Sequence, residues 1–451
     1  MSNRFSYIPH TEEDRQKMMD FLHIENTEEL FSDIPEALRL NRPLNLQEAM
    51  SEITLERHMR SLANQNVDFG QVISFLGAGS YEHYQPSAVD AILSRSEFYT
   101  SYTPYQPEIS QGMLQAIFEY QTMVAELAGM ELANASMYDG PTAMAEAGIV
   151  CCSHTRRNKL LVGRNVHPEY RAVLQTYCKG QSIEVVEIAY ADGCINLDAL
   201  SNAVDDKTAG ILIQFPNFFG QLENVERIAE IAHASGALVV VAAYPMSLGL
   251  LKSPGEQNAD IVVAEGQSLG NSMSYGGPYL GIMAAKKELM RKLPGRIVGQ
   301  TVDHDGNRGF VLTLQAREQH IRREKASSNI CSNQALNALA ATVFLSYMGK
   351  EGMRELGLQN FHKAHYLFEK LKEIKGVAPV FSKPFFNEFV LQFECQIDSI
   401  QDKLLSKGFI FGLNLEPFYP ELCNTVLLNV TEMRTKEELD NLVESLREVL
   451  Q

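Results

Sequence analysis

The chain has 451 residues, of which 45% are hydrophobic and 21% charged, the composition of a globular protein with more than one domain. Its formal net charge of −17 argues against a nucleic-acid surface, because neutralising phosphates requires a basic face. No apolar run approaches the roughly 20 residues that a membrane span requires. The start of the chain is polar and lacks an apolar h-region, so we expect no secretory signal.

Seven cysteines are scattered along the chain, and only Cys151 and Cys152 are adjacent. Because their number is odd and none has metal-ligand spacing to histidine, we expect reduced thiols in a cytoplasmic protein. The eleven histidines show no pair at metal-ligand spacing either, and we therefore expect no metal site.

Residues 1–65 have the pattern of a helical arm that faces a partner. The TEED segment at 11–14 is typical of a capping box at a helix start. Residues 45–66 carry apolar side chains at roughly helical spacing. Beyond the arm, residues 77–81 are rich in turn formers. The prolines at 98–107 exclude a regular helix, and the many aromatic side chains there favour an ordered loop.

From Ser110 onward, short apolar runs alternate with helical stretches, and Ser110 stands where an N-cap is expected. This alternation predicts βαβ units and a parallel sheet buried on both faces, which gives a three-layer α/β domain. The predicted strands are 159–162, 183–188, 210–215, 237–242 and 260–264, and the predicted helices include 110–128, 169–178 and 225–234.

A long helix is predicted at about 332–348, and the pattern becomes mixed from about residue 350. Strands are expected at 389–393 and 425–430, within a smaller α+β domain. We therefore expect three parts, which are an N-terminal helical arm at 1–65, a large α/β domain at 66–349 and a small C-terminal α+β domain at 350–451.

Three segments carry a more specific signal through their order and spacing. They are YTPYQPEISQG at 102–112, NASMYDGPTA at 134–143 and REKASSNIC at 323–331. Together they resemble the glycine-cleavage P-protein family, and the chain length is similar to that of the alpha subunit of its two-chain form. The resemblance implies fold type I of the pyridoxal phosphate (PLP) enzymes, with a large three-layer α/β domain and a small C-terminal domain.

In competent members of such a family, a lysine forms the Schiff base with PLP, and an aspartate keeps the pyridine nitrogen protonated. The resemblance aligns the lysine position with Ser268, and no lysine lies between Lys252 and Lys286. It aligns the aspartate position with Ala242. This paired loss implies that the chain holds no PLP covalently and has no catalytic residue of its own. Lys252, Lys286 and Lys287 are interpreted as solvated surface lysines.

The turn at 139–142 (DGPT) precedes a predicted helix whose N-terminal amides are available to an anion. By resemblance, the corresponding turn of the fold holds the cofactor phosphate. The favoured interpretation is a capped helix, with Asp139 as N-cap and Pro141 in the first turn.

Two loops are candidates to serve the site of a neighbouring subunit. The resemblance implies that Tyr102, Thr103 or Tyr105 helps to shape the partner's substrate site. The alternative is a tyrosine-rich structural loop at the interface.

By the same resemblance, Ser327, Asn329 and Cys331 would approach the phosphate of PLP held by the partner. The alternative is an N-cap for a helix that begins near Ser332. For Cys331 itself, no histidine partner can be assigned from sequence, which favours a structural cysteine over a nucleophile.

The resemblance implies a heterodimer with a homologous beta subunit that carries the lysine and PLP. The complex, an oxidoreductase, would decarboxylate glycine and pass the aminomethyl group to the lipoyl arm of the H-protein. This chain, inactive alone, would complete the site and hold the partner. Two alternatives are a regulatory or scaffolding pseudoenzyme of the same complex and a self-sufficient PLP enzyme with a relocated lysine.

Overall fold

The structure, a computed structural model, describes residues 7, 9–101, 106–330 and 332–451. Its α-helices are α1 Glu12–Leu22, α2 Glu52–Ala63, α3 Ser87–Leu93, α4 Ser96–Tyr99, α5 Gln111–Ala128, α6 Gly140–Thr155, α7 Pro168–Lys179, α8 Leu197–Ala203, α9 Val225–Ala234, α10 Gln319–Arg322, α11 Ala335–Leu371, α12 Ile397–Leu405 and α13 Lys436–Leu450.

The β-strands follow the same chain order. They are β1 Ile73–Ser74, β2 Leu132–Ala133, β3 Lys159–Gly163, β4 Glu184–Ile188, β5 Tyr190–Ala191, β6 Cys194–Ile195, β7 Thr208–Phe215, β8 Leu238–Ala243, β9 Ile261–Glu265, β10 Gly281–Ala285, β11 Ile297–Val302, β12 Arg308–Thr313, β13 Val377–Pro379, β14 Glu388–Phe393, β15 Phe409–Ile410, β16 Leu413–Asn414 and β17 Thr425–Asn429. The five predicted strands of the large sheet are confirmed within two residues at each end.

The chain forms two compact units, Met1–Val67 and Asp68–Gln451. In the first unit, Thr11 and Asp14 form the predicted capping box of α1. None of the described residues from 7 to 67 is buried, although many carry large apolar side chains. The boundary predicted at 349/350 is not a division between compact units and stays a prediction.

The large sheet of the second unit has seven strands in the order β2-β10-β9-β8-β7-β3-β4. Strands β9, β8, β7, β3 and β4 are mutually parallel, and β10 runs antiparallel to both of its neighbours. The parallel strands therefore present their carboxyl ends along one edge, the place where ligand sites form in open α/β sheets.

Both faces of this sheet are buried, as successive residues of β8 demonstrate. Val239 and Val241 belong to a core that α5, α9 and α11 cover, whereas Val240 and Ala242 belong to a second core under α6 and α7. Side chains alternate between the two faces of a strand, so a strand buried on both faces is apolar throughout. The predicted three-layer arrangement is thus observed.

A second, antiparallel sheet of four strands has the order β13-β14-β17-β16. Helices α12 and α13 and the C-terminal part of α11 cover it and share one apolar core. Helix α11 begins at Ala335, three residues later than predicted, and its backbone leaves the helical region at Gly349 before continuing to Leu371. Ser110 occupies the N-cap position of α5, but its side chain makes no capping hydrogen bond, so that expectation was wrong.

One connection ties the two sheets together through the start of β14. The Oε1 atom of Glu388 accepts a hydrogen bond from the Ala78 amide at 2.7 Å, and Oε2 accepts one from the Tyr81 hydroxyl at 3.0 Å. On the large-sheet side, the loop after β7 brings Gly220 against the Glu388 backbone with a φ of +81°. A Cβ at Gly220 would lie 1.9 Å from the Glu388 carbonyl oxygen.

We expect Gly220→Ala to lower the free energy of unfolding by more than about 3 kcal/mol, because left-handed backbone strain adds to a clash with backbone that cannot yield. The control is Gly306→Ala, whose φ of +82° is nearly the same but whose Cβ would meet nothing within 4 Å. That variant should lose only about 1–2 kcal/mol. Urea unfolding of both variants measures the difference, and equal losses would contradict the proposed contact.

Burial raises the pKa of Glu388 from 4.5 to about 7. The folded state therefore binds a proton that the unfolded state releases, and the free energy of unfolding should fall as pH rises from about 4.5 to about 7, by up to about 3 kcal/mol. Glu388→Gln should remove this contribution, whereas Glu394→Gln at an exposed position beyond β14 should keep it. Urea unfolding between pH 5 and 8 tests this prediction. If the free energy of unfolding of Glu388→Gln changes with pH as steeply as that of the wild type, the prediction is refuted.

Candidate functional site

A small cavity lies at the carboxyl ends of the central parallel strands. Its volume is about 30 Å³, room for about two water molecules. Its walls come from the ends of β7, β8 and β9, from the turns that follow β8 and β9, from helix α7 and from the loop before α3. The lining residues are Gly79, Tyr81, Tyr170, Gln214, Ala242, Ala243, Tyr244, Glu265, Gln267 and Ser268.

Both positions of the expected paired loss, Ser268 and Ala242, line this one cavity. Ser268 lies in the short turn after β9 and is 2% exposed, and its Oγ atom has no hydrogen-bond partner among the described residues. Ala242 lies near the end of β8 and is 3% exposed. Water is the usual hydrogen-bond partner of a buried polar group in a polar cavity, and a water molecule here would satisfy the Ser268 hydroxyl.

Two of the three lysines that could replace the missing one, Lys252 and Lys286, form ion pairs elsewhere. The Lys286 ammonium lies 2.5 Å from the buried carboxylate of Asp260, just before β9 begins, whereas the cavity lies where β9 ends. Five residues of extended strand separate these ends by about 13 Å. Lys252 forms an exposed ion pair with Glu226 at 2.5 Å. None of the residues that line the cavity is a lysine.

Glu265, the last residue of β9, fills the space between the cavity and the start of α6. Its Oε2 atom accepts a hydrogen bond from the Gly140 amide at 3.0 Å. Its Oε1 atom accepts from the amides of Leu280 at 3.0 Å and Gln267 at 3.1 Å. Burial raises the pKa of Glu265 to about 7, although these three donors favour the ionised form. Sequence inspection did not identify this residue.

The start of α6 has the predicted cap. Asp139 is the N-cap and accepts from the Thr142 amide at 2.8 Å, and Pro141 lies in the first turn. Gly140 is sterically required, because a Cβ there would lie 2.0 Å from the Tyr170 hydroxyl oxygen. The turn is therefore closed by Glu265 and Tyr170 of the same chain, which agrees with the favoured interpretation of a capped helix.

A hydrogen-bonded chain of buried groups continues from the cavity wall toward the small sheet. The Tyr244 hydroxyl contacts His83 Nε2, and His83 Nδ1 lies 2.9 Å from Glu432 Oε2. Burial opposes ionisation of Glu432, but His83 and the Tyr84 amide outweigh it and lower its pKa to about 2. These residues were missed because no local motif links positions 83, 244 and 432.

A second and larger cavity, of about 640 Å³, lies beside the loop that precedes α11. Ser327, Ser328 and Asn329 line it together with Tyr138, Glu146, Ile149, Tyr177, Gly180, Gln181, Glu324, Ala326 and Ile330. Ser327 and Asn329 are exposed, so the structure brings these two predicted residues to one open cavity. They do not cap α11, whose N-cap position is Gln334, and the N-cap alternative was wrong.

A side chain of α6 holds the loop at 327–330 in place through a hydrogen bond. The Ser328 hydroxyl donates to Glu146 Oε1 at 2.8 Å and accepts from the Ile330 amide at 3.0 Å. Glu146 is 4% exposed, and burial raises its pKa to about 7. Six residues of helix separate Gly140 from Glu146, so the two contacts lie about 9 Å apart along α6. Cys331 and the candidates Tyr102, Thr103 and Tyr105 lie outside the described residues.

These residues do not fit bound PLP. The small cavity offers no amine for a Schiff base and no carboxylate opposite a pyridine nitrogen at Ala242. Its 30 Å³ is far below the roughly 300 Å³ at which small-molecule sites begin. The carboxyl group of Glu265 already accepts a hydrogen bond from the Gly140 amide at the start of α6.

Within residues 7, 9–101, 106–330 and 332–451, no three histidine, cysteine, aspartate or glutamate side chains are grouped to hold a metal ion. No helix in that part of the chain has the length and apolar character needed to cross a bilayer.

The family model and two of the most similar relatives point to the same protein family. The family model described as "Glycine cleavage system P-protein" matches residues 5–446. The chain is similar to the probable glycine dehydrogenase (decarboxylating) subunit 1 of Carboxydothermus hydrogenoformans, with 56% identity over 440 residues that cover 98% of this chain and 99% of that protein. The protein of the same name from Moorella thermoacetica is 54% identical over 445 residues, covering 99% and 100%.

Solved structures agree. A crystal structure of glycine decarboxylase (P-protein) of the glycine cleavage system, in inhibitor-bound form, matches with a TM-score of 0.90 and 45% identity, covering 99% of this chain and 100% of that one. A sphingosine-1-phosphate lyase of Burkholderia pseudomallei matches with a TM-score of 0.68 and 15% identity and shows the fold alone. The predicted PLP fold type I is confirmed, and the chain belongs to the glycine cleavage system P-protein family.

Proposed function

We propose that this chain is the cofactor-free subunit 1 of a two-chain glycine decarboxylase of the glycine cleavage system. With a PLP-bearing beta subunit it decarboxylates glycine, and the aminomethyl group passes to the lipoyl arm of the H-protein. The observation that carries the proposal is the small cavity at Ser268, Ala242 and Glu265, which is too small for PLP and has no lysine, in a chain similar over 98–99% of its length to proteins named subunit 1.

The proposed contribution of this chain is to complete the partner's site. Support comes from the loop at 327–330, whose exposed Ser327 and Asn329 line an open cavity of about 640 Å³. Hydroxyl and amide groups on such a loop are suitable donors to a phosphate. We propose that these two residues, with Cys331, approach the phosphate of the partner's PLP. Tyr102, Thr103 and Tyr105 are proposed to shape its substrate site.

The arm at 7–67 supports an obligate partner. Fifteen large apolar side chains from Met18 to Leu62 are 36% or more exposed, and none of the described arm residues is buried. Such apolar surface is costly in water and is typical of a segment that a second subunit covers. The six described free cysteines support a cytoplasmic location, because oxidising compartments favour disulfides.

The scaffolding alternative shares the small cavity but gives no role to the loop at 327–330. The alternative of a relocated lysine needs an amine at the cofactor, and the ion pairs of Lys252 and Lys286 argue against it. The two experiments that follow separate these possibilities from the proposed function.

Co-expression with a PLP-bearing homologue should yield a stable complex with one PLP per pair of chains. Borohydride reduction should place the pyridoxyl group on a lysine of the partner, and glycine–bicarbonate exchange should require both chains. A version of this chain that starts at residue 68 should lose the partner, because the apolar arm surface is gone. A stoichiometric pyridoxyl-lysine in this chain would contradict the proposal.

Ser328→Ala should lower glycine–bicarbonate exchange by the complex about tenfold and weaken PLP retention by the partner, because the loop loses its hydrogen bond to Glu146. Glu146→Gln keeps an acceptor oxygen and should retain most of the activity. The matched control is Ser332→Ala, at an exposed serine four residues along the chain. Should Ser328→Ala and Asn329→Ala both leave exchange and PLP retention unchanged, the scaffolding alternative replaces site completion.

A further inference from the structure

The cavity beside the loop at 327–330 is acidic. Glu146 and Glu324 both line it, and its volume is about 640 Å³. Among the described residues that form its wall there is no lysine, arginine or histidine. The basic neighbours of Glu324 in the chain, Arg323 and Lys325, are exposed and lie outside this wall. The cavity therefore presents negative charge that its own wall does not balance.

Glu146 is the buried carboxyl group of this wall. It is 4% exposed, and its Oε1 atom accepts a hydrogen bond from the Ser328 hydroxyl at 2.8 Å. Its Oε2 atom accepts from no described residue, so this oxygen is available to the cavity. Burial raises the pKa of Glu146 to about 7, and only the Ser328 hydrogen bond opposes that rise. A buried carboxylate without a counter-charge is costly, which makes it a strong acceptor for a cation.

Two tyrosines lie in the same wall. Tyr138 precedes α6 and Tyr177 belongs to α7. Burial and the Glu146 carboxylate raise the pKa of Tyr177, which places this phenol beside the carboxyl group. Aromatic rings next to a carboxylate suit an organic cation, and arginine more often than lysine, because the planar guanidinium group stacks on rings and pairs with carboxylates. Two carboxylates supply too few oxygen ligands for a divalent metal ion.

We propose that this cavity receives an arginine side chain of the partner subunit, whose guanidinium group pairs with Glu146 and contacts Tyr177. The inference rests on the proposed function, because it requires a partner that covers the loop at 327–330. It also makes that function electrostatically consistent. Ser327 and Asn329, which are proposed to approach a phosphate, line the same cavity as two carboxylates. Unbalanced carboxylates would repel the phosphate, and a cation beside them removes the repulsion.

Assembly should then change the protonation of Glu146. At pH 6, a carboxyl group with a pKa of about 7 is mostly protonated in the separate chain. A guanidinium group beside it favours the ionised form, so the pKa falls and the proton passes to solvent when the subunits join. The guanidinium group keeps its own proton, because its pKa is above about 12. Above about pH 8 the carboxyl group is already ionised, and assembly should release no proton from it.

Isothermal titration calorimetry of this chain with the PLP-bearing partner, in buffers of different ionisation enthalpy, measures the Kd and the protons released. Glu146→Gln keeps an acceptor for Ser328. At pH 6 it should raise the Kd about tenfold or more and reduce the release by close to one proton per pair. Tyr177→Leu should raise the Kd about threefold and still release the proton. The matched control is Glu388→Gln, whose buried carboxyl group has a pKa of about 7 but lies outside this cavity, and both quantities should stay unchanged.

Exchange activity assayed far above the Kd does not report this weakening, so assembly and activity are measured separately. A wild-type complex that releases no more protons at pH 6 than the Glu146→Gln complex would overturn the inference. If Glu146→Gln does not fold, the wild-type release decides, and equal values at pH 6 and pH 8 contradict the inference.

Two further outcomes are distinguishable from these. Proton uptake when the isolated chain is diluted would assign the cavity to a second copy of this chain and would overturn the role of the partner's arginine. A failure of the wild-type chains to associate at all would contradict the proposed function, and the inference with it.

Discussion

Helix α6 is fixed at two points by carboxyl groups, and the features that set the character of this chain depend on that arrangement. At its N-terminus, the Gly140 amide donates to Glu265, which closes the space where strands β8 and β9 end. Two turns later, Glu146 accepts from Ser328 and holds the loop before α11. The two contacts lie about 9 Å apart along the axis of α6, so one helix connects the wall of the small cavity to the loop beside the larger cavity.

Much of the fold follows from local sequence. Strands β7, β8 and β9 were predicted within two residues because a strand buried on both faces must be apolar throughout, and such runs are short and distinct. Strand β10 and the β11–β12 hairpin were missed, since they interrupt the strand–helix alternation. Helix α11 was predicted to start at 332, but Asn333 and Gln334 form hydrogen bonds with Ala135 and Ser136, in the segment between β2 and α6, and the helix begins only at Ala335.

The resemblance assigned the expected lysine position to Ser268 and the expected aspartate position to Ala242, and the structure places both residues in the lining of one cavity. Contacts between residues far apart in the chain could not be predicted. Tyr81 reaches Gln267 and Glu388 across 186 and 307 residues of chain, and His83 reaches Glu432 across 349. Pairings of that length depend on the order of strands in two sheets, which periodicity does not determine.

The hydrogen bonds of Glu265 determine whether the stability of this chain depends on a bound ligand. A protein whose fold includes a bound cofactor gains stability by mass action, in proportion to RT ln(1 + [L]/Kd), and loses it when the cofactor is scarce. Here the amides of Gly140, Gln267 and Leu280 are satisfied from within the chain. These three buried donors therefore need no external ligand, and the folded population of this chain does not depend on one to satisfy them.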